Sequence, residues 1–285
     1  MGKYDNGLNN DDLSELQIVL LEMLKWFHSF CEKNNLRYYI VEGTVIGAVR
    51  HHGFIPWDDD IDVGMPRSDY NRLMQLKDEL DGKYILETPY SLNTNYRYPW
   101  CKLFDSTTTK IEKMRRNYRL GVYIDIFPLD GLGNTMEESK KNYKVIDFLN
   151  MLWATRVCAL NRKRSFLKNS AILISRCVPQ SILNDKWLMK HIDLACGKRD
   201  FDKQKYVACT LSTYRYKEIM ERSIYGKPTK YEFNGIYVYG PEKYDDYLKT
   251  IYGEWWVLPP KEKQVNQHDY IYLNLHESYL QSIGE

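Results

Sequence analysis

Apolar residues recur at intervals of three and four near the start of the chain, which predicts a long amphipathic helix over residues 11–34. The residues that carry this period are Leu13, Leu16, Leu20, Met23, Phe27 and Phe30. Asp11 or Asp12 can cap the start of the helix, and the asparagines at 34–35 end it. We therefore expect one face of this helix to pack against the core.

The pattern then changes to short β-type segments and short helices. Residues 37–41 predict a strand that leads through Gly43 and Thr44 into a short helix at 45–50, and residues 68–80 predict a second helix. Further strands are predicted at residues 58–65, 83–87, 98–104, 108–113 and 121–127. The first half of the chain is therefore expected to mix helices and strands.

From residue 136 to about 199 the period is helical, with an interruption near Pro179. The remainder mixes a strand at 231–239 with a helix at 244–252. We expect a core at residues 1–135, a helical part at 136–200 and a C-terminal part at 201–285 that packs on the core. The predicted fold class is α+β: a mixed β-sheet flanked by helices, with a helical insertion and a C-terminal α/β extension.

Composition places the chain among ordinary globular proteins. Hydrophobic residues make up 44% of its 285 residues and charged residues 27%, with a mean hydropathy of −0.55, which excludes predominant disorder and a membrane-spanning chain. The net charge of +2 gives no global attraction to nucleic acid or anionic lipid, so no nucleic-acid partner is expected. The 24 tyrosines are either a bias of composition or a surface suited to sugars and nucleotides.

Cysteine usage and the N-terminus favour a reducing compartment. The cysteines are scattered and form no Cys-x-x-Cys pair, so neither a zinc knuckle nor a redox motif is indicated. The N-terminus is polar and acidic, and no run approaches the ~18 apolar residues of a spanning helix. We therefore expect a cytoplasmic protein.

The densest chemical signal lies at residues 57–63 (WDDDIDV). In a strand alternate residues share a face, so Asp58, Asp60 and Asp62 would project together. Three carboxylates on one face repel one another unless a cation neutralises them, and all-oxygen ligands favour Mg²⁺, Mn²⁺ or Ca²⁺ over zinc. We interpret the segment as a divalent metal site. The alternatives are a solvated acidic loop or a calcium loop, although the Gly and Glu positions of an EF-hand are lacking.

Two further features add to this signal. Asp125 is enclosed by β-branched and aromatic residues on a predicted strand, where an unpaired carboxylate is costly to bury, so it should reach a metal or a base. Gly43 and Thr44 lie between a strand and a helix, where N–H groups and a hydroxyl can hold a phosphate oxygen. The alternative for this pair is a turn with a threonine N-cap.

Residues 42–62 (EGTVIGAVRHHGFIPWDDDID) closely resemble the signature of the LicD family, whose bacterial members attach phosphocholine to surface glycans and whose relatives include the fukutin-type ribitol-phosphate transferases. Residues 102–108, 123–130 and 252–260 are similar to the family too. The resemblance spans about residues 15–270, with a looser match in the helical middle. It implies a nucleotidyltransferase-like core.

Carried over by position, the resemblance implies a role for each residue of the two motifs. Gly43 and Thr44 would form the phosphate turn, with Thr44 standing where the wider superfamily prefers serine. Asp60 and Asp62 would be paired ligands of Mg²⁺ or Mn²⁺, and Asp125 the third carboxylate. Asp58 corresponds to an additional acidic position of the fukutin-related branch and would assist the metal or the acceptor.

Three side chains near these motifs carry a weaker signal. Lys102 could neutralise a donor phosphate, or be an ordinary edge-strand lysine. Arg50 could contact a phosphate, or simply favour the dipole at a helix C-terminus. His268 stands where family members often carry a histidine, but a single histidine without a visible partner is more often structural.

The resemblance also implies the substrates. The donor would be a CDP-linked alcohol, with CDP-choline first, the acceptor a glycan or lipid-linked glycan, and CMP the leaving group. Asp125 or Asp58 would take the proton of the acceptor hydroxyl. The alternatives are transfer of the nucleotide itself with release of pyrophosphate, and a non-catalytic glycan- or nucleotide-binding protein.

A basic stretch in the helical part suggests a surface contact. It could lie on the inner membrane surface or bind a phosphorylated acceptor, and the alternative is a solvated helix face. Its cations and neighbouring apolar residues are Arg156, Arg162, Lys163, Arg164, Lys168 and Arg176, with Trp153, Leu160 and Phe166.

Overall fold

The computed structural model describes residues 8–93, 96–114, 117–158, 166–179, 184–266 and 268–281. The helical period near the start is confirmed, because the first helix, α1 (Asn10–Lys33), buries the expected face. Its buried residues are Leu13, Leu16, Leu20, Met23, Leu24, Phe27 and Cys31. The cap is Asn9 rather than Asp11 or Asp12, since the Asn9 side chain accepts a hydrogen bond of 2.8 Å from the backbone N–H of Asp12.

The remaining helices and the strands alternate along the chain. The helices that follow α1 are α2 (Glu42–Ile46), α3 (Arg67–Gln75), α4 (Met136–Val157), α5 (Phe166–Cys177), α6 (Asp185–Cys196), α7 (Arg222–Tyr225) and α8 (Tyr244–Tyr252). The strands are β1 (Tyr39–Ile40), β2 (Asp62–Pro66), β3 (Tyr84–Glu87), β4 (Cys101–Asp105), β5 (Thr109–Glu112), β6 (Arg119–Leu120), β7 (Tyr123–Gly133), β8 (Tyr206–Cys209), β9 (Met220–Glu221), β10 (Thr229–Phe233), β11 (Ile236–Gly240) and β12 (Tyr270–Asn274).

A seven-stranded mixed sheet lies at the centre of the fold. The order of five of its strands is β1-β2-β7-β4-β3. β8 pairs with the second half of β7, and β9 pairs with β8. β2 and β7 run parallel, and the other pairs are antiparallel. All 11 residues of β7 are buried, and the strand pairs along its length with β4, β2 and β8 in turn. The predicted α+β class is therefore confirmed.

Several element boundaries differ from the predictions. The strand predicted at 58–65 begins only at Asp62, and the strand predicted at 121–127 continues as β7 to Gly133. The single strand predicted at 231–239 is the hairpin β10–β11, because Asn234 and Gly235 have φ angles of 46° and 81°. Positive φ at two central residues is the geometry of a tight hairpin turn.

The helical part corrects the interpretation of the basic stretch. Arg156 is buried, with Nε donating to Asp185 at 2.9 Å and a terminal nitrogen donating to the carbonyl of Ser175 at 3.0 Å. Trp153 is buried too, and its indole N–H donates to the carbonyl of Arg97 at 2.7 Å. Neither side chain faces a membrane. Outside the described residues lie Leu160, Arg162, Lys163 and Arg164, as do the side chains of Phe166, Lys168 and Arg176.

The C-terminal part is joined to the core sheet, since β8 pairs with β7. The division of the chain at residues 135 and 200 stays a prediction. Among the described helices, none has the length and apolar character that crossing a membrane requires.

Candidate active site

Asp62, Asp125 and Lys102 lie side by side on three neighbouring strands. Asp62 is in register with Asp125 in the parallel β2–β7 pair, and Lys102 is in register with Asp125 in the antiparallel β4–β7 pair. This meeting follows from the position of β7 between β2 and β4. The sheet therefore brings the acidic segment at 57–63 and the distant Asp125 to one place.

Burial alternates along residues 58–62, although Asp62 is the only one of them that belongs to β2. Asp58, Asp60 and Asp62 are half-buried, whereas Asp59 is buried. Burial, followed by the charge of Asp60, raises the pKa of both Asp58 and Asp62 well above the usual range of a carboxyl group. A cation at this point would relieve the repulsion and favour the ionised carboxylates.

The turn after β1 is tied to the acidic segment. Glu42 begins α2, so Gly43 and Thr44 lie in the first turn of the helix rather than before it. The Thr44 hydroxyl accepts a hydrogen bond of 3.0 Å from the backbone N–H of Asp62, and a Cβ at Gly43 would lie 3.2 Å from Oδ2 of Asp58. The missing side chain of Gly43 thus allows the turn to approach this carboxylate closely.

Asp125 is held by two neighbours from its own sheet. Lys102 Nζ lies 2.7 Å from Oδ1 and 3.0 Å from Oδ2 of Asp125, and the Trp100 indole N–H donates to Oδ1 at 2.5 Å. The ammonium is buried over the ring of Tyr123, 3.4 Å from its centroid, and lies 4.1 Å from that of Tyr98. Burial lowers the pKa of Lys102, and Asp125 opposes that shift. The edge-strand interpretation of Lys102 is wrong, because β4 lies between β7 and β3.

His268 reaches the acidic segment from the C-terminal part. Its Nδ1 lies 3.2 Å from Oδ1 of Asp59 and 3.9 Å from Oδ2 of Asp60. Burial lowers the pKa of His268, but Glu112 and Asp59 outweigh it and raise that pKa to about 9. The sequence carried no local signal for this contact, because 209 positions separate His268 from Asp59.

Arg50 is bound to the C-terminal part. Its guanidinium donates to the carbonyl of Trp255 at 2.8 Å and to Nε2 of His51 at 2.9 Å. Within the part of the chain that the structure describes, its hydrogen bonds and ion pairs reach none of the predicted site aspartates. A contact between Arg50 and a phosphate stays a prediction.

Glu42 is a site residue that the sequence did not single out. Its φ angle of 50° is uncommon for a residue other than glycine, and its side chain is only 8% exposed. Burial, with smaller contributions from Asp60 and Asp125, raises its pKa to about 7, against the opposing hydrogen bond of Ser212. Neither the strained backbone nor the burial could be predicted from the residue type.

Among the described residues, one set of side chains lies close enough together to hold a cation. The carboxylate oxygens of Asp59 and Asp60 and a ring nitrogen of His268 lie within 4.8 Å of one another. The predicted set of Asp60, Asp62 and Asp125 shares Asp60 with it. Burial raises the pKa of Asp62, and the charges of Asp60 and Asp125 add to that shift. Joint binding of a cation by these three carboxylates stays a prediction. A mostly carboxylate site fits Mg²⁺ or Mn²⁺.

Comparison with known proteins gives a match over the part of the chain that holds this site. A family model described as "LicD/FKTN/FKRP, nucleotidyltransferase domain" matches residues 35–151. That range contains all four predicted aspartates, the turn at Gly43 and Lys102.

Individual relatives match over different lengths. The chain is 29% identical over 261 residues to the lipopolysaccharide cholinephosphotransferase LicD of Haemophilus influenzae, which covers 90% of this chain and 96% of that protein. It is 25% identical over 110 residues to the human ribitol 5-phosphate transferase FKRP, covering 39% of this chain and 20% of that protein. It is also 29% identical over 148 residues to the mannosyltransferase regulator 4 of Saccharomyces cerevisiae, covering 49% of this chain and 11% of that protein.

Proposed function

The chain carries a LicD-family nucleotidyltransferase domain at residues 35–151, and we propose from this premise that the protein is a phospho-alcohol transferase. The transferred group is phosphocholine, the donor CDP-choline, and the acceptor a hydroxyl of a cell-surface glycan or of its lipid-linked precursor. The observation that carries the proposal is the similarity to the Haemophilus cholinephosphotransferase over 90% of the chain, together with the acidic cluster at β2 and β7.

A divalent cation, Mg²⁺ or Mn²⁺, would be held by Asp60, Asp62 and Asp125, and when bound it supplies positive charge against the donor diphosphate. Other residues of the chain bind the donor and position Asp125. Gly43, Thr44 and Arg50 contact the donor phosphates in this proposal. Lys102 holds Asp125 in place, because its ammonium is enclosed by aromatic rings and contacts both carboxylate oxygens.

Asp58 is the proposed base. Both oxygens of Asp125 are engaged by Lys102, whereas Asp58 is half-buried and has a raised pKa, which suits a proton acceptor. The acceptor oxygen attacks the phosphorus that bears the alcohol, and Asp58 takes the acceptor proton. The bond from that phosphorus to the oxygen of CMP breaks, so that CMP leaves and the phospho-alcohol is joined to the glycan.

Product analysis tests this function. Purified full-length protein is incubated with CDP-choline, Mg²⁺ and a glycan acceptor, and nucleotides are separated by chromatography. We expect CMP release that depends on the acceptor, stops in EDTA and returns with Mg²⁺ or Mn²⁺. Pyrophosphate released from CTP would favour nucleotidyl transfer instead, and an intact donor under all conditions would favour a binding protein.

Contact with the acceptor or with the cytoplasmic membrane face is proposed for residues 136–180. The candidate contact residues on α4 are Val145, Phe148 and Met151, which are exposed. Trp153 is no longer a candidate because it is buried. Sedimentation with anionic liposomes tests the membrane contact, since a Phe148→Ser and Met151→Ser variant should then bind less than the wild type. Equal binding of both proteins would exclude it.

A further inference from the structure

A buried group of polar side chains adjoins the acidic cluster and takes no part in the proposed chemistry. Glu42 and Glu218 are its two carboxyl groups, 8% and 0% exposed. Oε1 of Glu42 and Oε2 of Glu218 have no hydrogen-bond partner among the described residues, and neither has the hydroxyl of the buried Tyr225. Buried carboxylate oxygens without donors are costly, so these atoms indicate a missing cationic or donating partner.

Ser212 connects the two carboxyl groups. Its hydroxyl donates to Oε1 of Glu218 at 2.9 Å, and Ser212 also opposes the rise in the pKa of Glu42. Burial and the charge of Glu42 raise the pKa of Glu218 well above the usual range. The hydroxyl of Tyr247 accepts a hydrogen bond of 2.9 Å from the backbone N–H of Glu42. The group is therefore anchored from α2, α8 and the segment before β9.

Two tyrosines adjoin this buried group, Tyr214 through a backbone hydrogen bond to Ser212 and Tyr252 by packing against Tyr214. Tyr214 and Tyr252 are half-buried, with ring centroids 4.9 Å apart and an interplanar angle of 68°. The backbone N–H of Tyr214 donates to the Ser212 hydroxyl at 3.1 Å, which joins the rings to the buried carboxyl groups. Burial raises the pKa of both tyrosines, and the charge of Glu42 contributes to each shift. Aromatic faces beside a carboxylate are the groups that recognise a quaternary ammonium ion.

We propose that Glu42, Tyr214 and Tyr252 form a subsite for the cationic head group of the transferred alcohol, with Glu218 as a second buried carboxyl behind it. The ligand class is a quaternary ammonium ion, and the proposal rests on the proposed function. A trimethylammonium group has no N–H to donate, so it needs charge and aromatic surface. A neutral polyol would instead need hydrogen-bond partners for each hydroxyl.

The place of the subsite relative to the acidic cluster agrees with this ligand. Glu42 precedes Gly43, whose missing side chain faces Asp58, and the charge of Glu42 reaches Asp62. In phosphocholine only two carbons and one oxygen separate the ammonium nitrogen from the phosphorus. A phosphate held at the cluster would thus leave its ammonium group within reach of Glu42.

Comparison of a cationic and a neutral donor tests the subsite. Isothermal titration of the full chain with CDP-choline and with CDP-glycerol, in Mg²⁺ and without acceptor, gives both affinities. We expect Glu42→Gln and Tyr252→Leu each to weaken CDP-choline binding about tenfold or more and to change CDP-glycerol binding less than about twofold. Glu254→Gln, an exposed position beyond α8, is the matched control and should change neither. Thermal unfolding of each variant shows whether it has folded.

Other results would overturn the subsite. An equal loss for both donors, or a wild type that prefers CDP-glycerol, excludes recognition of the cation while the phospho-alcohol transferase stands, provided CMP is still released. A loss of Mn²⁺ affinity in Glu42→Gln would make Glu42 a metal ligand instead. Failure of both donors to bind the wild type would remove the proposed function and the subsite together.

Discussion

The carboxylates at the two ends of the β2–β7 pair differ in the partners that surround them. At the end that holds Asp62 and Asp125, burial and then the charges of neighbouring carboxylates raise the pKa of Asp62. At the other end Asp130 is fully buried, but Arg67 contacts its two oxygens at 2.6 and 2.9 Å. Thr210 donates to the same carboxylate at 2.8 Å. We call the Asp130 end complete, because donors from Arg67 and Thr210 contact both of its carboxylate oxygens. We call the Asp62 end incomplete, because its carboxylates lie close to one another and repel.

We interpret this difference as one between carboxylates that stabilise the fold and carboxylates that would bind a ligand. Arg67 also contacts Asp193 at 2.6 Å, so a single buried cation is shared by two carboxylates from β7 and α6. The acidic segment has Lys102 and His268 against a larger number of carboxylates. Burying carboxylates without such donors is costly, so we expect a cation to compensate for the charge of the acidic segment.

Breaking the complete end should give the largest effect. We expect Arg67→Met to lower the free energy of unfolding by about 3–5 kcal/mol, because it leaves Asp130 and Asp193 buried without their cation. Urea unfolding measures this change. Lys203→Met, at a side chain that is 78% exposed, is the control and should stay within about 0.5 kcal/mol. A loss below about 1 kcal/mol for Arg67→Met would contradict the contrast between the two ends.

Removing a charge from the incomplete end should lower activity without lowering stability. We expect Asp60→Asn to lower CMP release on the order of 10²-fold or more, because a cation ligand is lost. The free energy of unfolding in EDTA should stay equal or rise by up to about 1 kcal/mol, because repulsion is removed. Steady-state assays and urea unfolding measure the two quantities, with the exposed Asp78→Asn as control. Marked destabilisation by Asp60→Asn would make this carboxylate structural.

Lys102 is a buried cation at the incomplete end, as Arg67 is at the complete end. We expect Lys102→Met to lower turnover about 10- to 100-fold and to make Mn²⁺ raise the melting temperature more than in the wild type. The reason is that Asp125 would depend on the added cation alone. Differential scanning fluorimetry with and without Mn²⁺ tests this, with the exposed Lys113→Met as control. An unchanged response to Mn²⁺ would show that Asp125 is not near the cation.

The sequence predicted what depends on short-range pattern. The three- and four-residue period of α1 follows from local geometry, and the structure confirms it. The shared side of Asp58, Asp60 and Asp62 stays a prediction, because the strand that it assumed begins only at Asp62. The Asn234-Gly235 pair is also a local signal of a hairpin, although the strand-forming residues on both sides of it favour a single strand.

Contacts between distant segments could not be predicted in the same way. Charge pattern does not distinguish a solvated arginine from Arg156, which is buried against Asp185. The contact of Asp59 with His268 depends on how β12 packs beside β5, and the orphaned oxygen of Glu42 depends on the fold around it. These are properties of tertiary packing, which a single sequence does not display.

The smallest expected effect concerns His268, the histidine that lies beside Asp59 and Asp60 at the incomplete end. If His268 contributes a ligand beside Asp59 and Asp60, His268→Gln should weaken Mn²⁺ binding about tenfold and leave the free energy of unfolding in EDTA nearly unchanged. Titration of Mn²⁺ followed by electron paramagnetic resonance counts the free ion directly. The exposed His276→Gln is the matched control. Unchanged Mn²⁺ affinity with a loss of stability would instead make His268 a structural partner of Asp59, comparable to Arg67 at the complete end.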